Sequence, residues 1–303
     1  MKKAIIIMAF VLTALCAVAV TGCAEEENAR TGYDITATFD AENMTVTADM
    51  DVHYVNTSEA ELDSLYFHLY PSAYREGARF APVSQSDISD AYPHGVDYGG
   101  ISVSSVRYGG GECEWEIGGE DEDILIIGGL SILPGGETDV SVSFTLDIPE
   151  TRNRFGYYDG KLNLGNWYPV ACVYEDGGWR TDPYSAYGDP FYSDIADYDV
   201  SFIVPEGWEV AGTGNVTVSV DGSLATYEFA ADGVRDFAIC ASESYTCTEG
   251  TAGDVTVRFY GTAAQAESGL PVACDAVETF SGLFGDYPYD TLSVVMTPFI
   301  EGG

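Results

Sequence analysis

From Met44 to Tyr54 the chain alternates: Met44, Val46, Ala48, Met50, Val52 and Tyr54 are apolar, and Thr45, Thr47, Asp49, Asp51 and His53 between them are polar. A period of two puts one set on each face of a strand, so the segment predicts a strand with one packed face and one wet face. Leu65, Phe67 and Leu69 repeat the pattern, as do Val140, Val142, Phe144, Leu146 and Ile148, and then Val216, Val218 and Val220. Turn-forming Gly, Pro, Asn or Asp bound each run, and several short strands with frequent turns predict an antiparallel all-β domain. The glycines at 109–111, 118–119, 128–129 and 135–136 are expected in turns between such strands. None opens a helical pattern carrying a lysine, which argues against a phosphate-binding loop.

The period changes near residue 260. Leu270, Ala273, Val277, Phe280 and Phe284 fall three and four apart and so line one side of a helix. Gly285 and Pro288 mark its end, and Leu292, Val294 and Val295 predict a strand running into Met296–Phe299. A single helix and strand cannot bury their own apolar faces. Residues 261–303 are therefore expected to be the opening of an α/β domain, with Gly303 as a truncation point and the helix's apolar face short of partners.

At the front, Lys2 and Lys3 precede a stretch from Ala4 to Val20 that is apolar throughout except Thr13, the pattern of a signal segment. Val20-Thr21-Gly22-Cys23 resembles the lipobox of bacterial lipoproteins, in which the cysteine is acylated and becomes the new amino terminus. Residues 1–23 would then be the signal peptide, Cys23 the lipid anchor and residues 24–31 a polar tether. The mature chain would stand outside the cytoplasm, anchored to the bacterial cell membrane. An uncleaved membrane helix is the alternative, but the apolar stretch is at the short end for a span and three glutamates follow closely.

Composition narrows the function classes. A 303-residue chain with 46% apolar residues can fill a substantial core. Twelve basic residues against 49 acidic ones give a net charge of −37, which repels phosphate backbones and argues against a nucleic-acid partner. Beyond the signal segment, Cys113, Cys172, Cys240, Cys247 and Cys274 are scattered and odd in number, so no disulfide framework is implied; Cys240 and Cys247 could close a small loop or remain free thiols. The three histidines, His53, His68 and His94, lack the spacing that puts two imidazoles on one helical face, and His53 and His68 are expected on the polar faces of strands. No metal site and no catalytic residue is therefore expected within this chain. Neighbouring carboxylates such as Glu175 and Asp176 are expected to be solvated turn residues.

Three segments, in order, are similar to the aminopeptidase N family of gluzincin zinc peptidases, which includes leukotriene hydrolase and many bacterial lipoproteins. Tyr33-Asp34-Ile35, leading to Val52-His53-Tyr54-Val55-Asn56 and Leu65-Tyr66-Phe67-His68-Leu69-Tyr70-Pro71, resembles the opening strands of that family's saddle-shaped amino-terminal domain. Asn166-Trp167-Tyr168-Pro169, Gly178-Trp179 and Gly188-Asp189-Pro190-Phe191-Tyr192-Ser193 resemble the approach to a central strand of the same domain. Phe284-Gly285-Asp286-Tyr287-Pro288-Tyr289 followed by Phe299-Ile300-Glu301-Gly302-Gly303 resembles the lead into the family's Gly-x-Met-Glu substrate loop.

The resemblance implies a saddle-like β-sandwich over residues 32–260 and the start of a thermolysin-like catalytic domain over 261–303. Gly302 and Gly303 would be the first substrate-binding positions, where absent side chains let a peptide lie along the backbone. In this family the loop glutamate holds the substrate's free amino group. Zinc is bound by H-E-x-x-H on a helix plus a later glutamate, with the intervening glutamate as general base on a metal-bound water. None of these follows Gly303 in this chain, and Gly160–Leu164 carries no glutamate or glutamine of the kind that many members use for the amine. The expected parent is a zinc metalloaminopeptidase with a peptide substrate, and the 303-residue chain alone is expected to be inactive and to bind no zinc. The aromatic run of Tyr158, Trp167, Tyr168, Tyr174, Trp179, Tyr184, Tyr187 and Tyr192 supports a rival, a lipid-anchored β-sandwich that binds glycans or peptides without catalysis. Exposure of those rings discriminates: a solvent-facing patch favours the binder, a buried set the peptidase.

Overall fold

The computed structural model describes Arg30 to Phe299. The amino-terminal part begins with β1 (Gly32–Asp40), β2 (Thr45–Val55) and β3 (Leu62–His68), followed by a short 3-10 turn at Tyr70–Tyr74 and the one-turn helix α1 (Ile88–Ala91). Next come β4 (Gly100–Tyr108), β5 (Gly111–Glu112), β6 (Trp115–Gly118), β7 (Ile124–Ile132) and β8 (Glu137–Asp147). Short strands β9 (Phe155–Tyr158), β10 (Lys161–Leu164), β11 (Val170–Ala171), β12 (Tyr174–Glu175) and β13 (Gly178–Trp179) carry the aromatic run. Then follow β14 (Ala196–Pro205), β15 (Glu209–Gly212), β16 (Asn215–Asp221), β17 (Leu224–Val234) and β18 (Ile239–Ser242). The last unit is β19 (Thr246–Ala252), β20 (Val255–Gly261), α2 (Ala263–Phe284) and β21 (Thr291–Val295).

The largest sheet has eight strands in the order β16-β17-β14-β1-β2-β8-β4-β5, and two four-stranded sheets run β15-β18-β10-β9 and β11-β3-β7-β6. One continuous core draws on all three: Ile35, Met50, Phe144 and Phe202 from the large sheet meet Leu65, Phe67, Ile127, Leu162 and Ile239 from the smaller ones. The predicted alternation is realised in β2, whose apolar residues are buried and whose Thr47, Asp49, Asp51 and His53 are exposed. The sheet is not wholly antiparallel, because β1 pairs with β14 in parallel, Tyr33 opposite Tyr198 and Ile35 opposite Val200. The two strands lie about 160 residues apart in sequence, long enough for the crossover that a parallel pair requires.

Two further expectations are corrected. Gly128 and Gly129 lie inside β7, not in a turn. Gly129 has φ +75, and the β3–β7 register slips between Leu62/Ile132 and Ser64/Gly128, which is a bulge built where only glycine takes that φ cheaply. In β16 the valines share a face with the core residues Tyr227 and Phe229 of β17, yet Val218 and Val220 are more than half exposed. β16 is the outermost strand of its sheet, and of its valines Val216 packs against the core.

The last unit is a β–α–β arrangement: β20 and β21 pair in parallel, with α2 between them in sequence, and β19 completes a three-stranded sheet. The sheet that carries the helix thus takes its first two strands from residues 246–261, while the change of period near 260 marks the helix itself. Thr262 caps α2 reciprocally with Gln265: the Gln265 N–H donates to Thr262 Oγ1 and the Thr262 N–H to Gln265 Oε1. Ala266 and Val277 are buried, and Leu270, Ala273 and Cys274 pack against Ala252, Val255 and Val257. Phe280 and Phe284 extend the same stripe but are 58% and 82% exposed. They form part of an apolar groove of about 730 Å³ with Val272, Tyr287 and Leu292. No helix among the described residues is long and apolar enough to cross a membrane.

Candidate functional site

The residues expected to act, Cys23, Gly302 and Gly303, lie outside the described residues, so the site is built from the segment that leads towards the two glycines. β21 ends at Val295, and the Met296 N–H continues its ladder by donating to the Tyr260 carbonyl at 2.9 Å. Beyond that point two side chains take over. The Tyr245 hydroxyl donates to the Met296 carbonyl at 3.0 Å, and Arg152 Nε donates to the Pro298 carbonyl at 3.1 Å. Along β21 itself, Thr291 Oγ1 donates to the Gly214 carbonyl and Ser293 Oγ to the Gly212 carbonyl, both at 3.0 Å. The strand is therefore tied to the edge of the β domain over its whole length.

The neighbouring surface is one face of the β15-β18-β10-β9 sheet. Directly paired residues share a face, so Ala211, Cys240, Asn163 and Gly156 form one row across it. Ala211 and Cys240 pack with Tyr245, Tyr260 and Val295, which places the exit of β21 against this row. Asn163 is fully buried, and neither its amide nitrogen nor its amide oxygen has a hydrogen-bond partner. A buried amide left unpaired costs roughly 1–3 kcal/mol. Burial pushes the Cys240 thiol up to about 12, so it is neutral at physiological pH and a poor nucleophile.

Around Arg152 the rim is polar. His94 Nδ1 lies 2.7 Å from Glu150 Oε1, and the Glu150 N–H donates to Asp97 at 2.7 Å. The Arg152 guanidinium sits over the Tyr158 ring at 5.6 Å. His53 is a surface residue, as expected, between Asp139 and Glu137. His68 is not: it is buried and stacked on Tyr70, because the turn at Tyr70–Tyr74 folds back over β3. Among the described residues no group of three or more His, Cys, Asp or Glu could hold a metal ion, so they offer no donor set for zinc. Glu175 and Asp176 sit at the β12–β13 hairpin, both bridged to Arg180.

The aromatic run does not assemble into one open platform. Trp167, Tyr168 and Tyr184 are in the core, and Tyr174 and Trp179 pack against it, with Trp179 stacked on Tyr66. Tyr187 and Tyr192 are exposed, and Tyr192 donates to Glu175. The five described cysteines are all free thiols, so Cys240 and Cys247 are not bridged. Arg152, Tyr245 and Asn163 were not singled out from the sequence. Only Asn163, in the stretch just ahead of Trp167 and Pro169, had a signal that could have drawn attention to it.

The sequence matches no family model and no curated protein. Solved structures do match in fold. An M1 zinc metallopeptidase mutant from Deinococcus radiodurans bound to a Tyr-Ser-Ala substrate aligns with a TM-score of 0.56 at 14% identity, over 90% of this chain and 58% of that one. A two-domain M1 zinc metallopeptidase mutant bound to L-tryptophan aligns with a TM-score of 0.58 at 14% identity, over 90% and 57%. A further structure of the M1 zinc metallopeptidase from Deinococcus radiodurans aligns with a TM-score of 0.53 at 14% identity, over 89% and 56%. This chain has the fold of the corresponding part of those enzymes and spans a little over half of their length.

Proposed function

We propose that these residues are the amino-terminal β domain and first β–α–β unit of a zinc peptidase of the M1 type, which cleaves peptides near a free amino terminus. The observation that carries this reading is the likeness of fold along 90% of the chain to an M1 enzyme bound to a peptide. Fold alone leaves the chemistry open. Support for the finer assignment comes from the order of the three resembling segments and from the tie between the β domain and the strand that leads to Gly302 and Gly303.

On this reading Gly302 and Gly303 begin the loop along which the peptide lies. Zinc and its general base would be supplied by residues other than these 303, which contain no H-E-x-x-H. Cys23 would anchor the protein to the outer side of the membrane, and peptides, not nucleic acids, would be its ligands.

The test is enzymatic. The purified 303-residue chain is expected to release no chromophore from amino-acid anilides with zinc present, while the product of the complete gene is expected to do so and to lose the activity with a chelator. Zinc-dependent hydrolysis by the 303-residue chain would overturn the placement of the chemistry outside it.

A further inference from the structure

Where β21 leaves its sheet, two residues distant in sequence converge on alternate carbonyls. Arg152 is 146 residues from Pro298 and Tyr245 is 51 from Met296. In an extended chain the carbonyls of residues i and i+2 point to the same side, and the residue before a proline is held extended. Tyr245 and Arg152 thus hold the Met296 and Pro298 carbonyls towards the β domain.

Both donors also have contacts apart from those two carbonyls. Arg152 is tethered by its own N–H to the Ala91 carbonyl at 2.8 Å, and the adjacent Thr151 hydroxyl reaches the same carbonyl at 3.0 Å. Its guanidinium rests on Tyr158, and as a planar fork it loses little freedom on bonding. Tyr245 is 6% exposed within the Tyr260 cluster. Burial raises its phenol well above the ordinary range, so it remains a donor at any physiological pH.

We propose that Arg152 and Tyr245 are positioning residues, a two-point clamp by which the β domain sets the course of 296–299. The clamp stands on this geometry; its service to a substrate loop at Gly302 and Gly303 rests on the peptidase reading. Without it, among the described residues the hydrogen bond left to 296–299 would be that of the Met296 N–H to Tyr260, and proline at 298 supplies no donor to extend the ladder.

Hydrogen exchange on the 303-residue chain tests the clamp directly. Tyr245→Phe removes one hydroxyl and keeps the ring, and Arg152→Ala removes the fork. Each is expected to speed exchange of the Met296 amide about fivefold to tenfold, as the loss of one hydrogen bond of about 1 kcal/mol implies, with amides of the α2 interior unchanged. Arg152→Lys should recover part of the protection. Unchanged Met296 exchange in both variants overturns the clamp.

The same variants in the product of the complete gene separate the two ideas. A fall in kcat/KM of about tenfold, partly restored by Arg152→Lys, supports the positioning role. Faster Met296 exchange together with no peptidase activity in the parent would refute the peptidase reading and leave the clamp standing as part of the fold.

Discussion

Trp167→Ala is expected to destabilise the folded chain by about 3–5 kcal/mol, the cost of emptying an aromatic site in a close-packed core. Trp167 is fully buried, with Tyr168 edge-on at 5.6 Å and Phe144 and Phe202 each at 6.2 Å between ring centres. Phe144 and Phe202 come from β8 and β14 of the large sheet, so the space left by the indole cannot be closed by relaxation of one strand. Its N–H has no hydrogen-bond partner. Trp167→Phe should therefore cost much less than alanine, because it keeps most of the packing and removes an unpaired buried donor. Denaturant midpoints of the two variants measure both effects. A change within about 0.5 kcal/mol for alanine, as at a surface position, would return this ring to the ligand-binding platform that the aromatic run suggests.

The second large effect is a dependence on pH carried by His68. Its ring is 4% exposed and stacked on Tyr70 at 4.6 Å. Loss of solvent is the main influence on it, outweighing the opposing pull of the Arg180 backbone and the Asp182 charge, and the ring's pKa falls from 6.5 to about 4. Between those values the unfolded chain binds a proton that the folded chain refuses, so stability is full above pH 6.5 and is lost as pH falls towards 4. The size is about 3 kcal/mol over that window.

Several carboxyls act in the opposite sense. Asp34 is raised by partial burial and then by Asp199 and Asp51, which stand directly opposite it on the neighbouring strands, so protonation favours the fold there as pH falls. The difference between the native chain and His68→Asn isolates the histidine. Urea midpoints of the two should converge as pH falls from 7 to 4. Parallel curves would mean that the ring is solvated and that β3 lacks its cover.

Strands with one wet face were legible in the sequence, and those without were not. β2 and β8 alternate because one side meets water. β7, Ile124-Leu125-Ile126-Ile127-Gly128-Gly129-Leu130-Ser131-Ile132, shows no clean period because the bulge at Gly129 shifts its register. His68 looked polar by alternation and is buried, since period two reports the direction of a side chain and not what later folds over it. The parallel pairing of β1 with β14 and the exposed valines of β16 depend on strand order, which local pattern does not carry.

The helix was legible from Leu270 to its Gly285 end, but not its first turns from Ala263, and the exposure of Phe280 and Phe284 follows from which elements lie beside it. The site was the least legible part. Arg152 and Tyr245 matter through contacts made across 146 and 51 residues, and nothing in the letters near either one points to Pro298 or Met296.

Whether a zinc peptidase is encoded is decided by reading the coding sequence onward from codon 303. The frame is expected to continue through Met-Glu into H-E-x-x-H and a later glutamate. A stop, or a continuation without those ligands, would overturn the peptidase reading and favour a binding protein.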